Sequence, residues 1–128
     1  MGVGALDHFN VRTRMLGETV RFYEEVLGLK QGPRPNFAFP GAWLYSDGRA
    51  VVHLVDISPT NEVQKPDSGV LHHVAFMSTG FASLKQHLQT LGVAFDAREV
   101  PGGELWQIFV HDPNGVMIEL NYETAKEL

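Results

Sequence analysis

The sequence predicts an α+β fold made of two tandem βαβββ modules whose mixed, curved sheets form a cup. Three observations carry that expectation. The chain reads as one unit written twice: DHFNV at Asp7–Val11, VLGLK at Val26–Lys30 and AVVHLV at Ala50–Val55 are echoed by HHVAF at His72–Phe76, TLGVAF at Thr90–Phe95 and GVMIEL at Gly115–Leu120. Superposing the copies sets His8 on His73, Gly28 on Gly92 and His53 on Glu119, at offsets of 65, 64 and 66 residues. In both copies a period-two strand pattern gives way to a helical stripe and then returns to strands. One domain over residues 1–128 is expected, with module one at about 5–57, a linker at 58–70 and module two at about 71–122.

The elements follow in order. Leu6–Arg12 alternates as a strand, and a helix over about Glu18–Leu27 has Leu16, Val20, Tyr23 and Leu27 on one face, stopped by Gly28. Strands are expected near Leu29–Gln31, Ala42–Ser46 and Ala50–Ile57, the last two joined by the hairpin signal Asp47-Gly48. In the second copy Leu71–Met77 is a strand, and Phe81, Leu84, Leu88 and Leu91 form a helical stripe stopped by Gly92. Strands near Ala94–Arg98, Leu105–His111 and Val116–Tyr122 follow, the last pair linked by the turn Asp112-Pro113-Asn114-Gly115. The polar stretch Ser58–Gly69 is the segment expected to be most flexible.

Composition narrows the function. With 128 residues and 44% apolar content the chain can bury a substantial core. No cysteine is present, which excludes disulfides, thiolate metal sites and cysteine nucleophiles. A net charge of −5 without a basic cluster argues against nucleic acid. No signal peptide, myristoylation site or membrane span is expected, so a cytoplasmic protein acting on a small molecule is the default.

Strand alternation assigns faces. Phe9 and Val11 share one face of the opening strand, leaving His8, Asn10 and Arg12 on the other. The same register leaves His73 on the polar side of its strand with Val74 and Phe76 opposite, and sets His53 against Val52 and Leu54. Glu119 faces away from Ile118 and Leu120, beside Met117 and Asn121. A single strand histidine is ordinarily packing or hydrogen bonding. A carboxylate within VMIEL needs a cation, a proton or several donors, because burying it unpaired costs several kcal/mol, and Arg12 is the plain structural partner. Four such residues at repeat-equivalent, same-face positions instead suggest one divalent metal, and three imidazoles with a carboxylate suit Zn, Ni, Fe or Mn.

These motifs resemble the vicinal oxygen chelate superfamily, the group of glyoxalase I, fosfomycin and bleomycin resistance proteins and extradiol dioxygenases. LDHFNV, FYEEVLGLK, VVHLV, HHVAF and DPNGVMIEL carry the resemblance over nearly the whole chain. It implies metal ligands at His8, His73 and Glu119, with His53 where relatives often have Glu or Gln, and a base supplied by Glu119 or a bound water. Four ligands would leave two open positions for two vicinal oxygens of the substrate, in glyoxalase-like lyase or isomerase chemistry. Without His53, the remaining 2-His-1-carboxylate set would favour an Fe(II) extradiol-type dioxygenase. A resistance-type small-molecule binding protein is the third alternative.

Pocket candidates are Asn10, Arg12, Arg34, Phe39, Trp43, Trp106, Gln107 and Tyr122, an arginine near a metal suiting an anionic substrate. For Phe37, Phe39 and Trp43 a core or interface role is the competing reading. The resemblance also implies a homodimer whose sites are shared between chains, the first module of one facing the second of its partner.

Overall fold

The computed structural model describes residues 1–127. They divide into two compact units, Met1–Lys65 and a second beginning at Pro66. The first holds β1 (Phe9–Thr13), α1 (Leu16–Arg21) continuing as a π-helical segment (Phe22–Val26), β2 (Lys30–Gly32), β3 (Gly41–Ser46) and β4 (Arg49–Asp56). The second holds β5 (His73–Ser78), α2 (Phe81–Leu91), β6 (Asp96–Glu99), β7 (Leu105–His111), β8 (Met117–Glu123) and the single turn α3 (Thr124–Glu127). The sheet orders are β1-β4-β3-β2 and β5-β8-β7-β6, one parallel pair and two antiparallel pairs in each, and both sheets are open. The expected βαβββ repeat is the observed topology. Among the described residues no helix is long and apolar enough to cross a membrane.

The buried apolar residues of the first unit include Val11, Leu44, Val52 and Leu54 of the sheet and Phe22, Tyr23 and Val26 of the helix. The buried helical stripe is Thr19, Phe22, Tyr23 and Val26, not the predicted Leu16, Val20, Tyr23 and Leu27. Thr19 is polar, so an apolar stripe does not include it. Its hydroxyl is satisfied, donating to the Met15 carbonyl at 2.7 Å and lying 3.4 Å from the Thr13 hydroxyl. The helix ends at Gly28, φ +74°, where Leu29 N–H reaches the Tyr23 carbonyl, a closure one residue wider than the α-helical Schellman bond. At Gly92 the closure is regular: Val93 N–H bonds the Leu88 carbonyl and Gly92 N–H that of Gln89.

The second unit's core joins Leu88 to Ile108, Val110, Ile118, Leu120 and Tyr122. Leu88 is fully enclosed, so truncation to alanine would cost roughly 2–5 kcal/mol. Leu91, predicted within the stripe, is 44% exposed because it lies in the last helical turn.

The β7–β8 turn fixes the register of the strand carrying Glu119. Asp112, 4% exposed, accepts from the N–H groups of Asn114 and Val116 through one carboxylate oxygen, at 2.8 and 2.9 Å. The segment 58–64, expected to be flexible, is fastened to the first unit. The Arg14 guanidinium donates to the carbonyls of Ile57, Ser58, Thr60 and Glu62, and Arg12 forks onto the Glu62 carboxylate at 2.5 and 2.7 Å.

Candidate metal centre

The polar face of the first unit is built by cross-strand pairing. Asn10 pairs with His53 across β1–β4, and His53 with Trp43 across β4–β3, so the three share a face. The His53 ring is sandwiched between His8 (centroids 3.6 Å apart, planes at 12°) and Trp43 (3.8 Å, 10°). His53 Nε2 lies 3.0 Å from the Ala50 carbonyl oxygen; a carbonyl only accepts, so this nitrogen carries the proton and Nδ1 the lone pair. Burial, and then the neighbouring His8, push the His53 pKa below the usual histidine value, favouring the neutral ring that metals require. His8 Nδ1 meets the Asp7 carboxylate at 2.6 Å, and that hydrogen bond holds the Asp7 pKa down. An imidazole held by a carboxylate at one nitrogen and free to ligate through the other is the usual arrangement around a protein-bound metal.

In the second unit Glu119 projects from β8 on the face opposite Ile118 and Leu120, as the alternation predicts. Its side chain is 14% exposed, and Oε1 lies 3.4 Å from His73 Nε2. Oε2 accepts from Asn121 Nδ2 at 2.8 Å, and Asn121 Oδ1 accepts from Gln107 Nε2 at 3.0 Å. The two Nδ1 atoms of His73 and His72 are 2.9 Å apart, and His72 precedes β5, outside the strand alternation.

Of the pocket candidates, Asn10 and Trp43 lie on the His53 face, and Gln107 lies on the Glu119 face. Arg34 rests over Phe37 and Phe39, at 5.1 and 5.3 Å from their centroids, and donates to the Phe39 carbonyl; Phe37 and Phe39 stack at 4.9 Å. Arg12 is on the predicted face but is occupied by Glu62, not by Glu119. Trp106 and Tyr122 are corrections. They pair across β7–β8 in register with Ile108 and Leu120, so both occupy the core face, each against Phe81. Tyr122 is 1% exposed, and burial pushes its pKa up to about 12.

Three further residues adjoin the donors, one of them, Asn121, already legible beside Glu119 in the sequence. Asn121 repeats the Glu119 face two residues on, which alternation signals directly. Asp7 adjoins His8. Arg98 covers Phe109 at 4.3 Å, and Phe109 pairs with Glu119, a contact nothing local in the sequence marks.

Among the described residues no three His, Asp or Glu side chains group as a metal site. The donors form two pairs, one in each unit. The His73–Glu119 pair fits a metal: its 3.4 Å separation matches the roughly 3.0–3.4 Å between donors that each lie about 2.1 Å from one ion. His8 fits through its Nε2. His53 fits in chemistry through Nδ1, since its Nε2 proton goes to Ala50, but its ring is stacked on both faces.

Comparison with known proteins agrees with this architecture. The profile of the Glyoxalase/Bleomycin resistance protein/Dioxygenase superfamily matches residues 5–120, and the chain belongs to that superfamily. It is 30% identical over 120 residues to Glyoxylase I 4 of Arabidopsis thaliana, covering 91% of this chain and 69% of the relative. It is 28% identical over 119 residues to the lactoylglutathione lyase of Haemophilus influenzae, covering 88% and 87%. A glyoxalase family protein from Bacillus anthracis shares the fold, with TM-score 0.78 and 22% identity over 96% of this chain and 98% of the other.

Proposed function

We propose that this chain is a divalent-metal-dependent enzyme acting on a small molecule with two adjacent oxygens, by glyoxalase-like lyase or isomerase chemistry. The observation that carries the reading is the buried-side carboxylate of Glu119 facing His73 Nε2 at 3.4 Å, without a lysine or arginine ion pair among the described residues. A carboxylate so placed calls for a cation. The superfamily and the relatives named glyoxylase I and lactoylglutathione lyase support the same class.

His8, His73 and Glu119 are the ligands in this reading, with His53 as a candidate fourth. A bound Zn, Ni, Fe or Mn ion would supply Lewis acidity to the substrate's oxygens. The chain's own residues do the rest. The Glu119 carboxylate would take the proton beside the substrate carbonyl and return it to the neighbouring carbon, with Asn121 holding Oε2 in a hydrogen bond. Asp7 holds the His8 ring, and Trp43 walls the His53 side.

Each unit offers two donors, fewer than a protein metal site ordinarily uses, so the reading requires first-unit and second-unit donors on one ion. We take the active species to be a homodimer in which they come from different chains. Mixing His8→Ala and Glu119→Ala proteins under exchange should restore about one intact site per heterodimer. A monomer at micromolar concentration that still binds metal tightly refutes the shared site.

One observation favours a second reading. The His53 ring is packed between His8 and Trp43; where that stack keeps it from turning to the ion, the ligands reduce to His8, His73 and Glu119, the set used by Fe(II) dioxygenases. Elemental analysis of protein purified without added metal separates the readings: nickel or zinc supports the first, while iron near one per chain with substrate-dependent O₂ uptake supports the second. If His73→Ala and Glu119→Ala both retain stoichiometric metal, the ligand assignment is wrong.

A further inference from the structure

We infer that Gln107 and Asn121 are positioning residues that aim the Glu119 carboxylate at its metal, and that the polarity of their hydrogen-bond chain runs one way. The inference rests on the metal reading above. Three side chains from two adjacent strands lie in line: Gln107 Nε2 to Asn121 Oδ1 at 3.0 Å, then Asn121 Nδ2 to Glu119 Oε2 at 2.8 Å, with Glu119 Oε1 left facing His73. The antiparallel register of β7 and β8 sets Gln107 directly opposite Asn121, on the face of Glu119.

The direction of the chain follows from donor chemistry. An ionised carboxylate can only accept, so the end of the Asn121 amide turned to Glu119 must be its NH₂. That leaves Oδ1 for the other side, where Gln107 must present its own NH₂. Each amide is therefore fixed against flipping by its neighbour. Gln107 acts on Glu119 only through Asn121. An amide held in this way spares the carboxylate a search over rotamers before binding, and it keeps Oε2 out of competition with Oε1.

The decisive perturbation is Gln107→Glu. A carboxylate at 107 accepts where the glutamine donated, so it draws the Asn121 NH₂ to itself and turns Oδ1 against the Glu119 carboxylate. Metal affinity should fall. Simple Coulomb attraction predicts the reverse, because an added negative charge near a cation tightens its binding. The two accounts differ in sign.

The measurement is the affinity for zinc alone, by competition with a chromogenic chelator at fixed pH. Loss of an outer partner typically weakens metal binding by about 10–100-fold. Asn121→Leu should therefore weaken zinc about tenfold or more, Gln107→Ala by less, and Gln107→Glu by more than Gln107→Ala. Adding Gln107→Ala to Asn121→Leu should change nothing further. Zinc binding by Gln107→Glu as tight as, or tighter than, that of Gln107→Ala overturns the chain, as does an unchanged affinity in Asn121→Leu. Glu119→Ala distinguishes the two levels of argument. If it loses zinc while Asn121→Leu keeps it, only the positioning role fails; if Glu119→Ala itself keeps full affinity, the metal reading fails as well. A second readout needs no variant to fold: in the unsubstituted protein the Asn121 side-chain NH₂ should exchange with solvent well below the rate of a free amide. Free-amide exchange there overturns the inference.

Discussion

Replacing Gly115 by alanine should destabilise the second unit far more than the same change at Gly92, although both glycines have left-handed backbones. Gly115 has φ +85° and Gly92 φ +70°. Each alanine therefore pays the left-handed penalty, roughly 1–2 kcal/mol. At Gly92 nothing lies within 4 Å of the added methyl group. At Gly115 the methyl would meet the Pro66 carbonyl oxygen at 2.6 Å, about 0.8 Å inside ordinary contact at 3.4 Å. A backbone carbonyl cannot rotate aside as a side chain can, so the turn or residues 66–67 must shift, at a further cost of about 1–3 kcal/mol. We expect a total near 2–5 kcal/mol for Gly115→Ala and near 1–2 for Gly92→Ala. Urea denaturation followed at Trp106, with the slope monitored for constancy, measures both. Equal losses at the two sites would refute the collision. The consequence reaches the site, because this turn sets the register of β8. A one-residue slip there would exchange Glu119 for an apolar neighbour on the donor face.

Alkaline pH should weaken the second unit through Tyr122. Its folded pKa of about 12 lies above the unfolded value near 10, so stability is intact below about pH 10 and falls as pH rises towards 12, by about 1.4 kcal/mol per unit. Tyr122→Phe should flatten that decline, and an unchanged alkaline slope would show that another group causes it. Arg14→Ala removes the guanidinium that gathers four carbonyls, so limited proteolysis should begin to cut within residues 58–64 while the β-sheet circular dichroism persists. Equal resistance in both proteins would show that the clamp does not order the segment. Trp43→Ala should leave His53 without one of its two stacking partners, broadening its ring NMR signals. Unchanged linewidths and shifts would refute a role for the stack in holding that ring.

Period-two alternation was legible because it needs only neighbours in sequence. It placed His53, His73 and Glu119 opposite apolar residues, and the structure keeps them there. The same rule, carried two residues further along β8, puts Tyr122 on the face of Leu120, in the core, and its partner Trp106 follows through pairing. Polar character misled at Thr19, where local hydrogen bonds make burial affordable, and at Arg12, where Glu62 lies fifty residues away. The clamp on residues 58–64 was invisible for a different reason. Arg14 binds backbone carbonyls, which every residue possesses, so no side chain in that stretch advertises the contact.

Duplication of the backbone has not duplicated the chemistry on it. Both units set a closing strand beside the opening one, in the same parallel pairing, and both bring a potential ligand of the closing strand beside a histidine at the start of the opening one. In the first unit that pairing yields stacked rings: His8, His53 and Trp43, with no carboxylate on the column. Such a face offers nitrogen donors and a flat wall. In the second unit the repeat-equivalent of His53 is Glu119, and two amides in line with it replace the aromatic stack. That face offers the negative charge and the means to orient it. The halves therefore differ in what the repeated fold carries: the first bears the stacked rings of His8, His53 and Trp43, and the second bears His73 beside a carboxylate held by Asn121.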